Sequence, residues 1–341
     1  MIRLKDIAER AGVSIMTVSK VLRDAPDISA ATKTRVRQLA QQMGYVPDSL
    51  AQGLRTRRTK LLGLVIPSSE NPLFSRIILA IEECAYDRGY EILLAHSLNS
   101  AEREESVIRR LLSRRVDGFL IAPVYRLGPK AVMYEELARR GIPTVILGHS
   151  APFCAAFSSI ETDDRAASAT LTQHLLQLGH KRIAFFGGPV AAPWAQERFE
   201  GYRRALREAG IEQNDDLIFS AGSTIEEGEK AALQFFNESP EATAIQAVND
   251  QVAIGAANML IGQGMKIPED LSITGFGNVL PSFYCRVALT TVSQPKHRLG
   301  TEAMEMMFKL LQGNRVESKR LPEQLILRQS TAPPPIPDSS V

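Results

Sequence analysis

From Leu61 onward, short apolar runs alternate with stretches of helical spacing, which restricts this part of the chain to parallel-sheet architectures. Strands are predicted over 62–66, 91–95, 118–122 and 144–147. A second series follows at 183–186, 244–248 and 271–276, with a short run at Ile218-Phe219. Helical patterns lie between them, for example over 75–88, 101–114, 164–178, 197–209 and 225–237. Two series of about four βαβ units predict two similar α/β lobes. Such sheets meet ligands outside the strand carboxyl ends, so a cleft between lobes brings two of these ends together.

The first 23 residues follow a different rule. Leu4, Ile7, Ala8 and Ala11 recur at i, i+3, i+4 and i+7, one face of a helix. Gly12 supplies a turn. In the next segment Val18, Val21 and Leu22 face inward and leave Ile15, Met16, Thr17, Ser19 and Lys20 outside. Helix, short Gly turn and helix form the unit that lays its second helix in the DNA major groove, and a plain helical hairpin is the alternative. A third helix is predicted over 29–43, with Ser29 as N-cap, Val36, Leu39, Ala40 and Met43 as its stripe, and Gly44 as its end. Residues 49–55 then have helical composition, a Gly inside and little apolar surface. A helix so short is marginal in water, so the segment is a linker or folds only when held.

Charge divides the chain in the same place. Residues 1–60 carry 12 Lys and Arg against five Asp and Glu, while the whole chain has 40 against 38. A head of +7 therefore precedes a body of −5. Basic heads meet phosphates because displaced counterions drive association. Lys33, Arg35 and Arg37 share one predicted helix, and Arg55, Arg57, Arg58 and Lys60 crowd the end of the head, a run that equally suits a flexible linker. Cys84, Cys154 and Cys285 have no CxxC spacing and read as buried thiols of a reducing compartment. With no stretch approaching 18 apolar residues and no apolar run at the amino terminus, no membrane association and a cytoplasmic location are expected.

The stretch from Leu4 to Leu22, LKDIAERAGVSIMTVSKVL, resembles the head of the lactose-repressor (LacI/GalR-type) family of bacterial transcription regulators. Further likenesses follow in order: Tyr45-Val46-Pro47, Arg115-Val116-Asp117-Gly118, Leu178-Gly179-His180-Lys181-Arg182-Ile183, Asn249-Asp250 and Leu289-Thr290-Thr291-Val292-Ser293-Gln294-Pro295. The resemblance spans about residues 2–331. It implies a helix-turn-helix head over 1–46, a hinge helix or linker over 47–60, and a periplasmic-binding-protein-like body over 61–331. Lobe one would comprise 61–160 and 293–320, and lobe two 161–292 and 321–331. The Pro-rich remainder, 332–341, reads as disordered.

The family's readout positions fall on Ile15, Met16 and Lys20. Lys20 suits guanine O6/N7, and Ile15 and Met16 suit thymine methyls, unless they pack inside the head. Ser14, Thr17 and Ser19 suit phosphates, as does Arg57. Leu54 occupies the hinge-helix wedge position, which in such repressors enters the minor groove from a dimer; a buried linker residue is the alternative. A homodimer on a pseudopalindromic double-stranded operator is expected.

For the effector, Arg198 matches the family's arginine in its Arg-x-x-Gly-Tyr/Phe setting, and a guanidinium fork suits paired hydroxyls or a carboxylate. Asn249 and Asp250 follow a predicted strand, where ligands are met, although Asp250 equally suits capping of a helix from Gln251. Trp194, placed in a loop after a strand, offers an aromatic face or interdomain packing. Phe74 matches a position that lines the pocket from lobe one, and Asp163 is a further candidate. Relatives commonly carry Asp where this chain has Gly277, which leaves only Asn278 there. No Walker loop, G-x-S-x-G or H-E-x-x-H motif occurs, and His96, His149, His174, His180 and His297 are scattered singly. The expectation is a repressor sensing a sugar-like effector, with no cofactor, metal or enzyme activity. The alternative is an activator or co-repressed regulator responding to a nucleobase or sugar phosphate. An exported sugar-binding protein would share the body's fold but not the head.

Overall fold

The computed structural model describes residues 2–45, 58–238 and 240–335. Leu54 and Arg57 lie outside the described residues. The chain forms two compact units, 1–59 and 60–341.

In the head, α1 (Leu4–Ala11), α2 (Ile15–Leu22) and α3 (Ala30–Gln42) enclose a core of Ile7, Ala8, Ala11, Val18, Val21, Val36 and Ala40. Leu22, Leu39 and Met43 are half-buried against it. Gly12 ends α1 at φ +65°, a left-handed conformation that glycine adopts without a Cβ penalty. Ser14 caps α2 by accepting from Thr17 N at 3.0 Å, and Ser29 caps α3 by accepting from Thr32 N at 3.4 Å.

In the body, β1 (Leu61–Ile66), β2 (Glu91–His96), β3 (Gly118–Ile121), β4 (Thr144–Leu147), β5 (Ser158–Thr162) and β11 (Lys319–Leu321) form a parallel sheet ordered β11-β5-β4-β3-β1-β2. A second parallel sheet, ordered β7-β6-β8-β9, comprises β6 (Ile183–Gly187), β7 (Ile218–Ser220), β8 (Ala244–Ala247) and β9 (Ser272–Thr274). An antiparallel ribbon of β10 (Thr291–Ser293) and β12 (Gln324–Ile326) completes the set. The helices are α4 (Pro72–Asp87), α5 (Ala101–Ser113), α6 (Val132–Arg139), α7 (Asp164–Gln177), α8 (Pro193–Glu208), α9 (Ile225–Glu238), α10 (Asp250–Gly262), α11 (Pro281–Tyr284) and α12 (Lys296–Leu311). The larger sheet buries Leu62, Leu64 and Ile66 with Met304, Met307 and Phe308 of α12. Phe186, Ile245 and Ile273 anchor the core of the smaller one.

Several local expectations change. The strand β5 has one large apolar residue, Ile160, and its polar sequence hides a position between β4 and β11. The stretch 271–276 yields only Ser272–Thr274, because Gly275 N and Gly277 N turn to Thr290 O at 2.9 Å and Val292 O at 2.8 Å. Of the three thiols only Cys154 is buried, while Cys84 and Cys285 are half-buried. Ala332, expected in a disordered tail, is held by hydrogen bonds to Ser272 and His180. No helix among the described residues is long and apolar enough to cross a membrane.

Candidate effector cleft and nucleic-acid interface

Strand order reverses between β1 and β3 in the larger sheet and between β6 and β8 in the smaller one, and ligands of open α/β sheets bind at such switch points. The loops after these strands line a cavity of about 840 Å³. Phe74, Tyr125 and His149 reach it from the first sheet's side, and Trp194, Arg198, Asn249, Asp250 and Phe276 from the second's.

Arg198 is 5% exposed and fully engaged at its inner edge. Its Nε donates to Asp164 Oδ2 at 2.9 Å, Nη2 lies 2.9 Å from the same oxygen, and Nη1 donates to Val248 O at 2.7 Å. The guanidinium lies 3.7 Å from the Phe276 ring centroid and 4.9 Å from that of Trp194. Its sequence setting has a packing cause. A Cβ at Gly201 would sit 2.3 Å from Arg165 O, so only glycine lets α8 lie this close to α7. Tyr202 Oη donates to Ile183 O at 2.7 Å and pins α8 to β6. Arg198, one turn earlier, is thereby fixed at Asp164.

The cavity excludes two of the expected residues. Asp163 caps α7 by accepting from Ala166 N at 3.2 Å and lies outside the lining; its neighbour Asp164 lines the cavity instead. Asn278 also turns away, donating to Ser293 Oγ at 3.1 Å and accepting from Arg328 Nη2 at 2.6 Å. Trp194 stands in the first turn of α8 and not in a loop, because Pro193 starts that helix early. The cap of α10 is Asn249, which accepts from Val252 N at 2.8 Å, and Asp250 is the first helical residue.

Asp250 is buried, accepting from Thr291 Oγ1 at 2.5 Å and Val279 N at 2.8 Å. Burial pushes its carboxyl up, against the pull of those two hydrogen bonds and of Lys296. A Cβ at Gly275 would meet Asp250 Oδ1 at 2.2 Å, which fixes glycine there.

On the head, Ile15 and Met16 are 48% and 69% exposed, so neither packs inside it. Lys20 is ion-paired with Asp27, a contact that the sequence reading missed. Ser14 Oγ and Thr17 Oγ1 share a 2.9 Å hydrogen bond, and Arg23 Nη2 donates to Ser19 Oγ at 3.3 Å. Asp24, at φ +58°, gathers Lys33 at 3.1 Å and Arg37 at 2.6 Å, which holds two of the basic side chains of α3 in place.

Residues 3–48 match the model of bacterial regulatory proteins, lacI family, and residues 59–330 that of periplasmic binding proteins and sugar binding domain of LacI family. The chain is 32% identical over 330 residues to the HTH-type transcriptional repressor CytR of Escherichia coli (strain K12), covering 96% of each. It is 33% identical over 344 residues to the HTH-type transcriptional repressor PurR of Serratia proteamaculans (strain 568), covering 99% of each. The lac repressor dimer bound to operator and the anti-inducer ONPF matches with a TM-score of 0.88 at 28% identity, over 97% of this chain and 99% of that one. A complex of the transcriptional regulator CelR with cellobiose matches at 0.74 and 27% identity, over 97% and 100%.

Proposed function

The chain belongs to the lacI family of bacterial regulatory proteins, and we propose that an uncharged polyhydroxylated molecule in its cleft controls its hold on operator DNA. It is a DNA-binding transcriptional regulator of the repressor type and not an enzyme. The charge balance of the cavity supports the choice of ligand. Among the described residues, Arg198 and His149 are the only lining ones able to carry positive charge, and each already faces a carboxylate, Asp164 and Glu197. Glu70, Glu161, Glu226, Glu227 and Asp250 add further carboxylates to the lining. A phosphate or carboxylate would enter against this field, whereas hydroxyls can use the remaining Arg198 donors and the carboxylate acceptors. Phe74 and Trp194 supply apolar faces for a sugar ring.

The protein acts in this reading as a cytoplasmic homodimer on a pseudopalindromic operator. Ile15, Met16 and Lys20 read base edges, Ser14, Thr17, Ser19 and Arg57 hold phosphates, and Leu54 is the minor-groove wedge. The head, hinge and two-lobed body divide at 1–46, 47–60 and 61–331. Thermal-shift screening of the full chain against free saccharides, nucleosides, nucleobases and sugar phosphates tests the ligand class, because a ligand bound only by the native state raises the melting temperature. A free saccharide should give the largest shift. A sugar phosphate that shifts the protein more than its free sugar would overturn the reading.

A further inference from the structure

His149 and Glu197 meet across the cleft. His149 follows β4 of the larger sheet, and Glu197 stands on α8, which packs against β6 of the smaller one. His149 Nε2 lies 3.3 Å from Glu197 Oε2, and His149 is 5% exposed. Tyr125 Oη donates to His149 O at 2.9 Å and fixes the loop that carries it. The other Glu197 oxygen accepts from Arg320 Nη2 at 2.9 Å, and Arg320 belongs to β11 of the larger sheet. Arg320 also donates to Glu161 Oε1 at 2.7 and 2.9 Å and stands 3.7 Å from Asp163. One carboxylate of the smaller lobe is thus held by two nitrogenous groups of the larger lobe, beside the buried Arg198–Asp164 pair.

We propose that His149 and Glu197 form a proton-operated clasp across the cleft, so that closure of the lobes takes up a proton and the effector response depends on pH. The proposal rests on the two-lobed cleft and not on the identity of the effector. Imidazole is the side chain that ordinarily changes charge near neutral pH, and a hydrogen bond from its cation to a carboxylate is about twice as strong as a neutral one.

The surroundings set the direction. Burial pulls the His149 cation down, but the Glu197 hydrogen bond and the charges of Asp164, Glu161 and Glu197 outweigh it and raise its pKa. Burial opposes ionisation of Glu197 too, yet His149 and Arg320 bring it down to about 2, so it stays an anion throughout the window. A histidine raised in the clasped arrangement stabilises that arrangement at low pH and loses the contribution as pH climbs through its clasped-state value. Glu323, in the segment joining β11 to β12, is pushed up to about 9 by burial first and then by Asp164, so it keeps its proton at neutral pH. By linkage, a ligand that favours the clasped cleft also tightens proton binding at His149.

The test uses the full chain without any effector. The His149 ring is followed by NMR from about pH 5 to 9, assigned as the one of five histidine signals missing in His149→Gln. In the wild type its midpoint should lie above the ordinary 6.5, and Glu197→Gln should lower it by about one unit or more. Small-angle scattering should show the radius of gyration growing as pH rises through that midpoint in the wild type and staying flat in His149→Gln. A wild-type midpoint at or below the ordinary value, or one that Glu197→Gln leaves in place, would overturn the clasp. So would a radius that ignores pH in the wild type or follows it equally in His149→Gln.

Discussion

Arg198 Nε and Nη2 both lie 2.9 Å from Asp164 Oδ2, and the two side chains are closed off from solvent at the foot of the cleft. The arginine proposed to face the effector is therefore also a structural element. Asp164→Ala leaves a buried guanidinium without its counterion, which costs about 3–5 kcal/mol. Denaturant unfolding of the body should show that loss. Replacing both partners, as Arg198→Met with Asp164→Leu, removes the charges together and should restore most of the stability.

Gly201→Ala pushes a methyl group to 2.3 Å from Arg165 O and 2.8 Å from Ser168 Cβ, so α8 must move off α7. Overpacking of this kind costs about 1–3 kcal/mol. Gly262→Ala, where an added Cβ meets nothing within 4 Å, is the matched control near a helix end. It should be neutral or stabilising by up to about 1 kcal/mol. Equal denaturation midpoints for the two variants would contradict the close approach of α7 and α8.

Lys20 and Arg57 should separate by the kind of contact each makes. Lys20→Ala is expected to relax base preference at one position per half-site by about 1–3 kcal/mol, measured on an operator library. Arg57→Ala should weaken all sequences alike and flatten the salt dependence. Lys20 must first leave Asp27, so Asp27→Asn should strengthen DNA binding at low salt.

The Lys296 ammonium gives the body an alkaline signature. It donates to Gly277 O and to Asn278 O at 3.0 Å. Burial first, and Arg76 after it, bring its pKa down to about 8 against the pull of Asp250. Between that value and 10.5, the unfolded chain binds the proton that the folded chain has released, so this group makes stability rise with pH. Lys296→Met should remove that rise from the difference between wild-type and variant unfolding curves. An identical pH dependence in the two proteins would contradict it.

Legibility in the sequence followed the strength of local pattern. The strands at 62–66 and 144–147 are continuous apolar runs, and β1 and β4 form there with at most one residue of change. β5 was hidden because Ser158, Ser159, Glu161 and Thr162 carry no apolar signal and become a strand only through partners on both sides. Arg198 was visible from its Arg-x-x-Gly-Tyr setting. Asp163 is the effector candidate of the sequence, whereas its neighbour Asp164 lines the cavity and holds Arg198, because two adjacent aspartates at a helix start differ only in which way the first turn points them. The ring of His149 against Glu197 joins residues 48 apart in sequence and leaves no local trace.

The most direct measurement is an operator titration, with and without the saccharide found by thermal shift, on the wild type and the Arg198→Met/Asp164→Leu double variant. The wild type should change its operator affinity with effector, and a ligand can do this only through its differential affinity for the two lobe arrangements. The double variant has lost the anchor for that ligand and should show no change. It should stay bound if the effector releases DNA, and stay unbound if the effector recruits it. A double variant that responds at the effector concentration sufficient for the wild type would contradict the assignment of the cleft as the control site.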